Sequence, residues 1–305
     1  MVFRWFGRKA GGAGPPQPPP RAGQPDHVYR PGDIIGGEWR VRRVMEGGLG
    51  LVYAVEHRES GNRSVLKTPK RQADPHVWES FRTEAETWVR LGDHPNIVGA
   101  HGVDEFAGQL FVVADLIEPD ELGRVSLRDY LAPGALTPRT VAALTADYCY
   151  GMAHARSKGM VAHRDIKPEN LLIGASGKLR VTDFGLARAM VLGAGKDNRL
   201  GKPGGWETHN GEIAGTPYYM APEQWQDSRL DITTDIYAFG IVMYEMCYER
   251  LPFVGLDMRA LAAQHVSRQP DIPGGMFAGV ITRCLAKHPG DRYPDTLALL
   301  ADLVA

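Results

Sequence analysis

The stretch His163-Arg164-Asp165-Ile166-Lys167-Pro168-Glu169-Asn170-Leu171-Leu172 decides how this 305-residue chain folds. Inside it an aspartate, a lysine and an asparagine stand at fixed short spacing between apolar residues. Downstream the chain reads Val181-Thr182-Asp183-Phe184-Gly185, and later Ala221-Pro222-Glu223. Each tripeptide alone recurs by chance in unrelated chains. Their order, with the Asp–Lys–Asn spacing of the first block, is far more restrictive.

Working outward, the bulk composition narrows the classes. Apolar residues make up 43% of the chain and charged ones 23%, the proportions of a globular protein. A formal net charge of −1 gives no reason to expect nucleic acid or an anionic membrane as partner. Cys149, Cys247 and Cys284 are scattered, so they read as buried thiols in a reducing compartment rather than a disulfide frame or zinc site. No apolar run reaches the ~18 residues that span a bilayer. A cytoplasmic location and no transmembrane segment are expected.

Met1 to Ala10 mixes Phe3, Trp5 and Phe6 with Arg4, Arg8 and Lys9. Its apolar part is too short for a signal peptide, Val2 excludes N-myristoylation, and a solvated tail is expected. Gly11 to Gln24 is almost all Gly, Pro and Ala, which cannot build a core. Residues 1–32 are therefore assigned to a disordered Pro/Gly-rich leader. Strand-like alternation follows at Trp39–Val44, Leu51–Val55 and Ser64–Lys67. Asp74–Leu91 switches to helical spacing, with Trp78, Phe81, Ala85, Trp88, Val89 and Leu91 on one side. Ile97–Val103 and Leu110–Ile117 are β-rich again. After Glu118-Pro119 the pattern turns mainly helical, at Leu127–Leu131, Thr137–Lys158, Asp231–Tyr248, Met258–Val266, Phe277–Leu285 and Asp295–Val304.

The three blocks and this organisation resemble the eukaryotic-type serine/threonine protein kinases, in the style of their bacterial members. The resemblance spans about residues 33–304. It implies an α+β, two-lobed protein kinase fold, with an N-lobe over 33–117 and a C-lobe over 118–305. The N-lobe would hold a five-stranded antiparallel sheet with one helix, and the larger C-lobe would be mainly helical. The reaction implied is transfer of the ATP γ-phosphate to Ser/Thr hydroxyls of proteins. The cofactors are ATP and Mg²⁺, with Mn²⁺ as a substitute. Such chemistry asks for a triphosphate cradle, cations against the developing charge, and a group that orients the attacking hydroxyl.

The cradle falls on Met45-Glu46-Gly47-Gly48-Leu49-Gly50, where Gly47, Gly48 and Gly50 let backbone N–H groups approach phosphate oxygens. Met45 replaces the family's first glycine. Lys67 matches the lysine that pairs the α- and β-phosphates. Its helix partner is Glu84; Glu86 lies about 200° further round and should face solvent. By the resemblance Asp165 orients the substrate hydroxyl and Lys167 steadies the γ-phosphate, while Asn170 and Asp183 hold Mg²⁺. His163 packs rather than reacts. Val52 and Val65 above and Leu172 below form an apolar slot for adenine, whose edge meets the backbone of Asp115 and Ile117. Two further departures are Val65, where most relatives carry alanine, and an approach to His163 through Met160-Val161-Ala162 that is one residue longer than usual.

Gly215-Thr216-Pro217-Tyr218-Tyr219-Met220-Ala221-Pro222-Glu223 resembles the peptide-binding end of an activation segment, which favours protein substrates. Thr216 would bridge toward Asp165 and Lys167, Glu223 would pair with Arg292, and Asp235 would anchor the catalytic loop. Thr208 is the expected autophosphorylation site, its phosphate pairing with Arg164. The resemblance also leaves room for self-association, one copy phosphorylating another. Ala114 and Ala100 are small for the back of the adenine pocket, and the indole of Trp88 is expected to fill the volume they leave. Two rival functions are a pseudokinase acting as scaffold or binding module and a small-molecule kinase. Lys67, Glu84, Asp165, Asn170 and Asp183 argue against the first, and Ala221-Pro222-Glu223 against the second.

Overall fold

The computed structural model describes residues 28–46, 50–69, 75–134, 136–185, 216–226 and 228–303. Apolar–charged alternation in Trp39-Arg40-Val41 turns Trp39 and Val41 inward and leaves Arg40 in solvent. That strand, β2 (Trp39–Glu46), pairs antiparallel with β3 (Gly50–His57), and β3 with β4 (Arg63–Pro69). The helix α1 (Pro75–Leu91) follows, then β5 (Ala100–Phe106) and β6 (Gln109–Asp115). The sequence predicts five strands here, and the sheet has six. The additional β1 (Ile34–Ile35) pairs with Trp39 and Arg40, giving the order β1-β2-β3-β4-β6-β5. Its two residues are too few to display an alternation, and the left-handed Gly36 and Gly37 return the chain at once. Tyr29, inside the stretch assigned to the leader, is buried edge-on against Tyr53 in the outer core of this sheet.

Beyond the sheet the chain is mainly helical. The predicted helix at Leu127–Leu131 is a 3-10 helix, Leu127–Tyr130, followed by α2 (Pro138–Ser157). Thr137 caps α2 by accepting the Thr140 N–H at 3.2 Å, and Pro138 enters the first turn, where no donor is lost. A short ladder, β7 (Leu171–Leu172) with β8 (Arg180–Val181), carries the segment between the two catalytic blocks. Then come α3 (Pro222–Trp225), α4 (Ile232–Tyr248), α5 (Met258–Ser267), α6 (Ala278–Cys284) and α7 (Thr296–Leu303).

The helix α4 is buried on nearly every side, as expected of a helix without a polar face. Phe239 stacks on Tyr148 of α2, with ring centroids 3.6 Å apart. One core runs from α1 and the inner sheet face through β7 and β8 to α4. The joint between sheet and helices is made by backbone. Val98 N–H donates to Val181 O, and Val181 N–H to Asn96 O, both at 2.9 Å. Among the described residues no helix is long and apolar enough to cross a membrane.

Candidate active site

Asp165 and its neighbours sit between α2 and β7, held from below by one buried carboxylate. Asp235, 1% exposed near the start of α4, accepts the His163 N–H at 2.6 Å and the Arg164 N–H at 2.8 Å. Burial pushes its carboxyl up to about 6, against the opposing pull of His163 and the two N–H donors. These bonds hold Arg164 in the left-handed region at φ 73°, a conformation costly for a side chain with a Cβ. The ring of His163 is used at both nitrogens. Nδ1 accepts the Asp165 N–H at 3.3 Å, and Nε2 donates to Thr182 O at 2.8 Å. Both contacts suit the neutral ring with its proton on Nε2, leaving His163 a structural part as the sequence predicts. In the approach to it, Val161 is turned out to solvent.

The Asp165 carboxylate is 5% exposed by residue yet fully partnered. Lys167 Nζ lies 3.1 Å from Oδ1 and 2.8 Å from Oδ2, and Asn170 Nδ2 donates to Oδ2 at 2.8 Å. Asn170 also donates to Asp165 O at 2.7 Å and accepts the Thr182 N–H on its own carbonyl at 3.0 Å, tying the first block to the second. Asp183, at φ 64°, is likewise left-handed. Its Oδ1 meets Lys67 Nζ at 2.5 Å, and Thr182 Oγ1 lies 3.4 Å from the same ammonium. Phe184 is fully buried against His163 and Trp88, with centroids 4.9 and 6.4 Å away. Glu84 is half-buried on α1 and faces this centre, because a Cβ placed on Gly185 would collide with its carboxylate. Glu86 is exposed.

The donor set suits a hard cation beside a polyphosphate. Asp183 and Asn170 offer oxygens, and Lys67 and Lys167 offer positive charge on either side. Among the described residues no group of three or more His, Cys, Asp or Glu could hold a metal by itself. A two-ligand site that relies on phosphates and water is the usual manner of Mg²⁺.

The family model for the protein kinase domain matches residues 40–297. This chain belongs to the protein kinase family. Its relatives include serine/threonine-protein kinase PknB of Mycobacterium tuberculosis H37Rv, 32% identical over 92% of this chain and 43% of that protein. A probable serine/threonine-protein kinase PknB of Corynebacterium glutamicum is 31% identical over 88% of this chain and 42% of its own length. The chain therefore spans less than half the length of the curated relatives it matches. The crystal structure of the Mycobacterium tuberculosis PknI kinase domain superposes with a TM-score of 0.64, covering 91% of this chain and 99% of that one at 22% identity. The two-lobed kinase fold of bacterial serine/threonine kinases is thus the fold of this chain.

The sheet places the residues that the sequence assigns to the nucleotide. Val65 is buried and pairs with Ala54 and Ala114; Val52 and Leu172 are half-buried. Asp115 ends β6, and its N–H donates to Gly99 O at 2.9 Å. Its side chain is held by His101 Nε2 at 2.7 Å and by the Gly99 N–H at 3.1 Å. Met45 lies within β2 opposite Val52 in regular strand, so the backbone there does not call for the glycine it replaces. Gly50 opens β3 and is buried. Gly47, Gly48 and Thr208 lie outside the described residues, as does the Thr216 side chain; Thr216 begins a 3-10 helix, Thr216–Tyr219.

Two further expectations have a definite geometry. Arg292 meets Glu223 bidentately at 2.7 and 2.9 Å, both buried. Its remaining N–H groups reach Ala286 O, Thr233 O and Lys287 O at 2.8–3.0 Å, so all five donors are satisfied. Trp88 is 1% exposed, shares a core with Ala114, has Ala100 packed against that core, and donates from Nε1 to Val98 O at 2.8 Å. The cluster at Arg128, Glu169, Tyr219 and Glu245 leaves no signal in the sequence, because its members are up to 117 residues apart and belong to no shared motif.

Proposed function

We propose that this kinase domain transfers the γ-phosphoryl group of ATP to Ser/Thr hydroxyls of protein substrates. The observation that carries the reading is the pairing of two clusters across one cleft: Asp165 with Lys167 and Asn170, and Asp183 with Lys67. Asp165 would accept a hydrogen bond from the attacking hydroxyl and hold its oxygen in line. Lys167, already 2.8 Å from Asp165, would follow the γ-phosphoryl, and Lys67 the α- and β-phosphates. Mg²⁺, held by Asp183 and Asn170, would supply charge neutralisation for the phosphates. Glu84 would keep Lys67 in place, and Thr216 would support Asp165 and Lys167. Gly47, Gly48 and Gly50 would form the cradle, with Val52, Val65 and Leu172 on the base and Asp115 and Ile117 at its edge. Three free thiols and a need for ATP support work in the cytoplasm.

Regulation through Thr208 belongs to the same reading. Arg164 Nε is buried and has no partner among the described residues, a donor that a phosphothreonine could meet. Phosphorylation of one copy by another would use a transient self-association. The test is incubation with [γ-³²P]ATP and Mg²⁺, alone and with a basic bystander protein, for wild type and Asp183→Asn, followed by peptide mapping. Label on protein, lost at least a thousandfold in Asp183→Asn, is expected, with phosphate on Thr208. A wild type that binds nucleotide but transfers none overturns the reading in favour of a scaffold. Label that spares Thr208 overturns its regulatory part alone.

A further inference from the structure

The strand β2 carries a bulge that gathers charge on one face of the sheet. Val41 pairs with Val55 and Arg43 with Ala54, so Arg42 is an extra residue between them. An extra residue breaks the strict in–out alternation and re-aims side chains. Arg42 and Arg43 are accordingly both exposed, as Arg40 is. On β3, Glu56 stands opposite Arg40, and on β4, Arg63 stands opposite Glu56. Arg42 donates to Glu56 twice, from Nε to Oε2 at 3.1 Å and from Nη2 to Oε1 at 2.9 Å. Arg42 first, then Arg40 and Arg63, hold that carboxyl below the usual carboxylate range. Arg58, two residues past Glu56 on β3's own line, is fixed by Nη1 donating to Gly37 O at 2.8 Å. Arg40, Arg42, Glu56 and Arg58 line one open recess of about 510 Å³.

The recess holds three guanidiniums and one carboxylate, and Arg42 alone hydrogen-bonds that carboxylate. Arg40 forms no ion pair among the described residues, and Arg58 meets only a carbonyl. Two cations thus share the recess without an anion of their own, which is unfavourable until one joins them. Neighbouring acids do not supply it. Glu118 is taken by Arg63 at 2.9 Å, while Glu38 bears on Asp104 and does not line the recess. The whole chain has a formal charge of −1, so the excess is local. Every cation of the recess is arginine, whose flat fork offers paired N–H donors to phosphate oxygens. A phosphate monoester brings nearly two charges and three acceptors, enough for Arg40 and Arg58 together. An open sheet face admits such a group on a passing polypeptide. We propose that Arg40, Arg42 and Arg58 form a docking site for phosphoserine or phosphothreonine of a protein partner. None of the three belongs to the catalytic or nucleotide set, and the site works whether or not this chain made the phosphate.

The experiment is fluorescence anisotropy in phosphate-free buffer with the full chain. Its probes are labelled Gly/Ser peptides identical except for phosphothreonine, threonine or glutamate at the centre. The phosphothreonine peptide is expected to bind about tenfold or more tighter than the other two. In Arg40→Gln/Arg58→Gln that preference should fall to within about twofold. Glu56→Gln frees Arg42 and should tighten the phosphopeptide about threefold, a gain that a damaged fold cannot produce. Equal affinity for the three peptides, a preference that survives in the double variant, or weaker binding by Glu56→Gln overturns the proposal. A glutamate peptide that matches the phosphopeptide overturns the phosphate assignment. Phosphatidylserine vesicles that retain the wild type but not the double variant, with no peptide preference, overturn it in favour of a membrane surface. Transfer from ATP plays no part in the readout, so failure here and failure of the kinase reading are separate results.

Discussion

Replacing Trp88 by leucine tests whether one large side chain compensates for several small ones. The indole is 1% exposed, lies beside Phe184, and belongs to the core that contains Ala114 and against which Ala100 packs. Leucine removes roughly six heavy atoms, and a cavity of that kind costs about 2–4 kcal/mol where neighbours cannot collapse. The lost Nε1 donor also orphans the Val98 carbonyl, adding about 1 kcal/mol. With a urea m-value of about 3 kcal/mol/M, the unfolding midpoint should fall by about 1 M or more. Trp88→Phe keeps a ring but loses the donor, and should cost about 1–2 kcal/mol. The volume argument itself is tested by a double-mutant cycle with Ala114→Met. In the wild-type background the added methylenes overpack, and in Trp88→Leu they fill the void, so the two changes should couple by about 1–2 kcal/mol. An unchanged midpoint for Trp88→Leu, followed by far-ultraviolet circular dichroism, refutes the compensation. Additivity within about 0.5 kcal/mol places the missing volume elsewhere and refutes it too.

Two other expected outcomes follow from buried charge. Arg292→Met leaves Glu223 buried without its bidentate partner and should cost about 3–5 kcal/mol in denaturant unfolding, with Arg292→Lys rescuing only part because one ammonium cannot replace five directed donors. For Asp235, burial raises the native-state carboxyl from 3.8 to about 6. The native state then holds this proton more tightly than the unfolded chain. Its contribution to stability is full below about pH 4 and is lost as pH rises through about 6. In Asp235→Asn that slope should vanish, so the cost of the substitution, measured by denaturation from pH 4 to 7, should shrink as pH rises. A cost that stays constant over this interval counts against the shift.

Much of the site was legible in the sequence because its parts are short-range. Asp165, Lys167 and Asn170 form one cluster because they lie within one short loop whose start is pinned by Asp235. The choice of Glu84 over Glu86 needed the family spacing and the helical period, and the pairing of Glu223 with Arg292 only the family resemblance. What was not legible depends on contacts between distant elements. Arg128 sits in an unremarkable turn, and nothing local distinguishes it from a solvated arginine until Glu245 is folded against it. The edge strand Ile34–Ile35 is too short for a period, and Tyr29 is one aromatic residue at the end of a segment rich in Pro and Gly. Its burial is decided by Tyr53 on β3 and Phe111 on β6.

The two clusters of the cleft are held in different ways. Arg164 and Asp183 are both left-handed, each at a cost of about 1–3 kcal/mol that surrounding contacts must offset. For Arg164 the offset comes from within the helical part of the chain: Asp235 accepts its N–H, and Gln224 Nε2 donates to its carbonyl at 3.2 Å. Asp165 is therefore set whenever α4 is folded. For Asp183 the restraint comes through Phe184, whose ring is clasped by His163 on one side and by Trp88 of α1 on the other. The same indole lies 5.5 Å from Lys67 Nζ, and Glu84 precedes it by one turn on the same helix. Trp88 is thus the side chain that joins α1 to Phe184 and, through it, to the segment that carries Asp183.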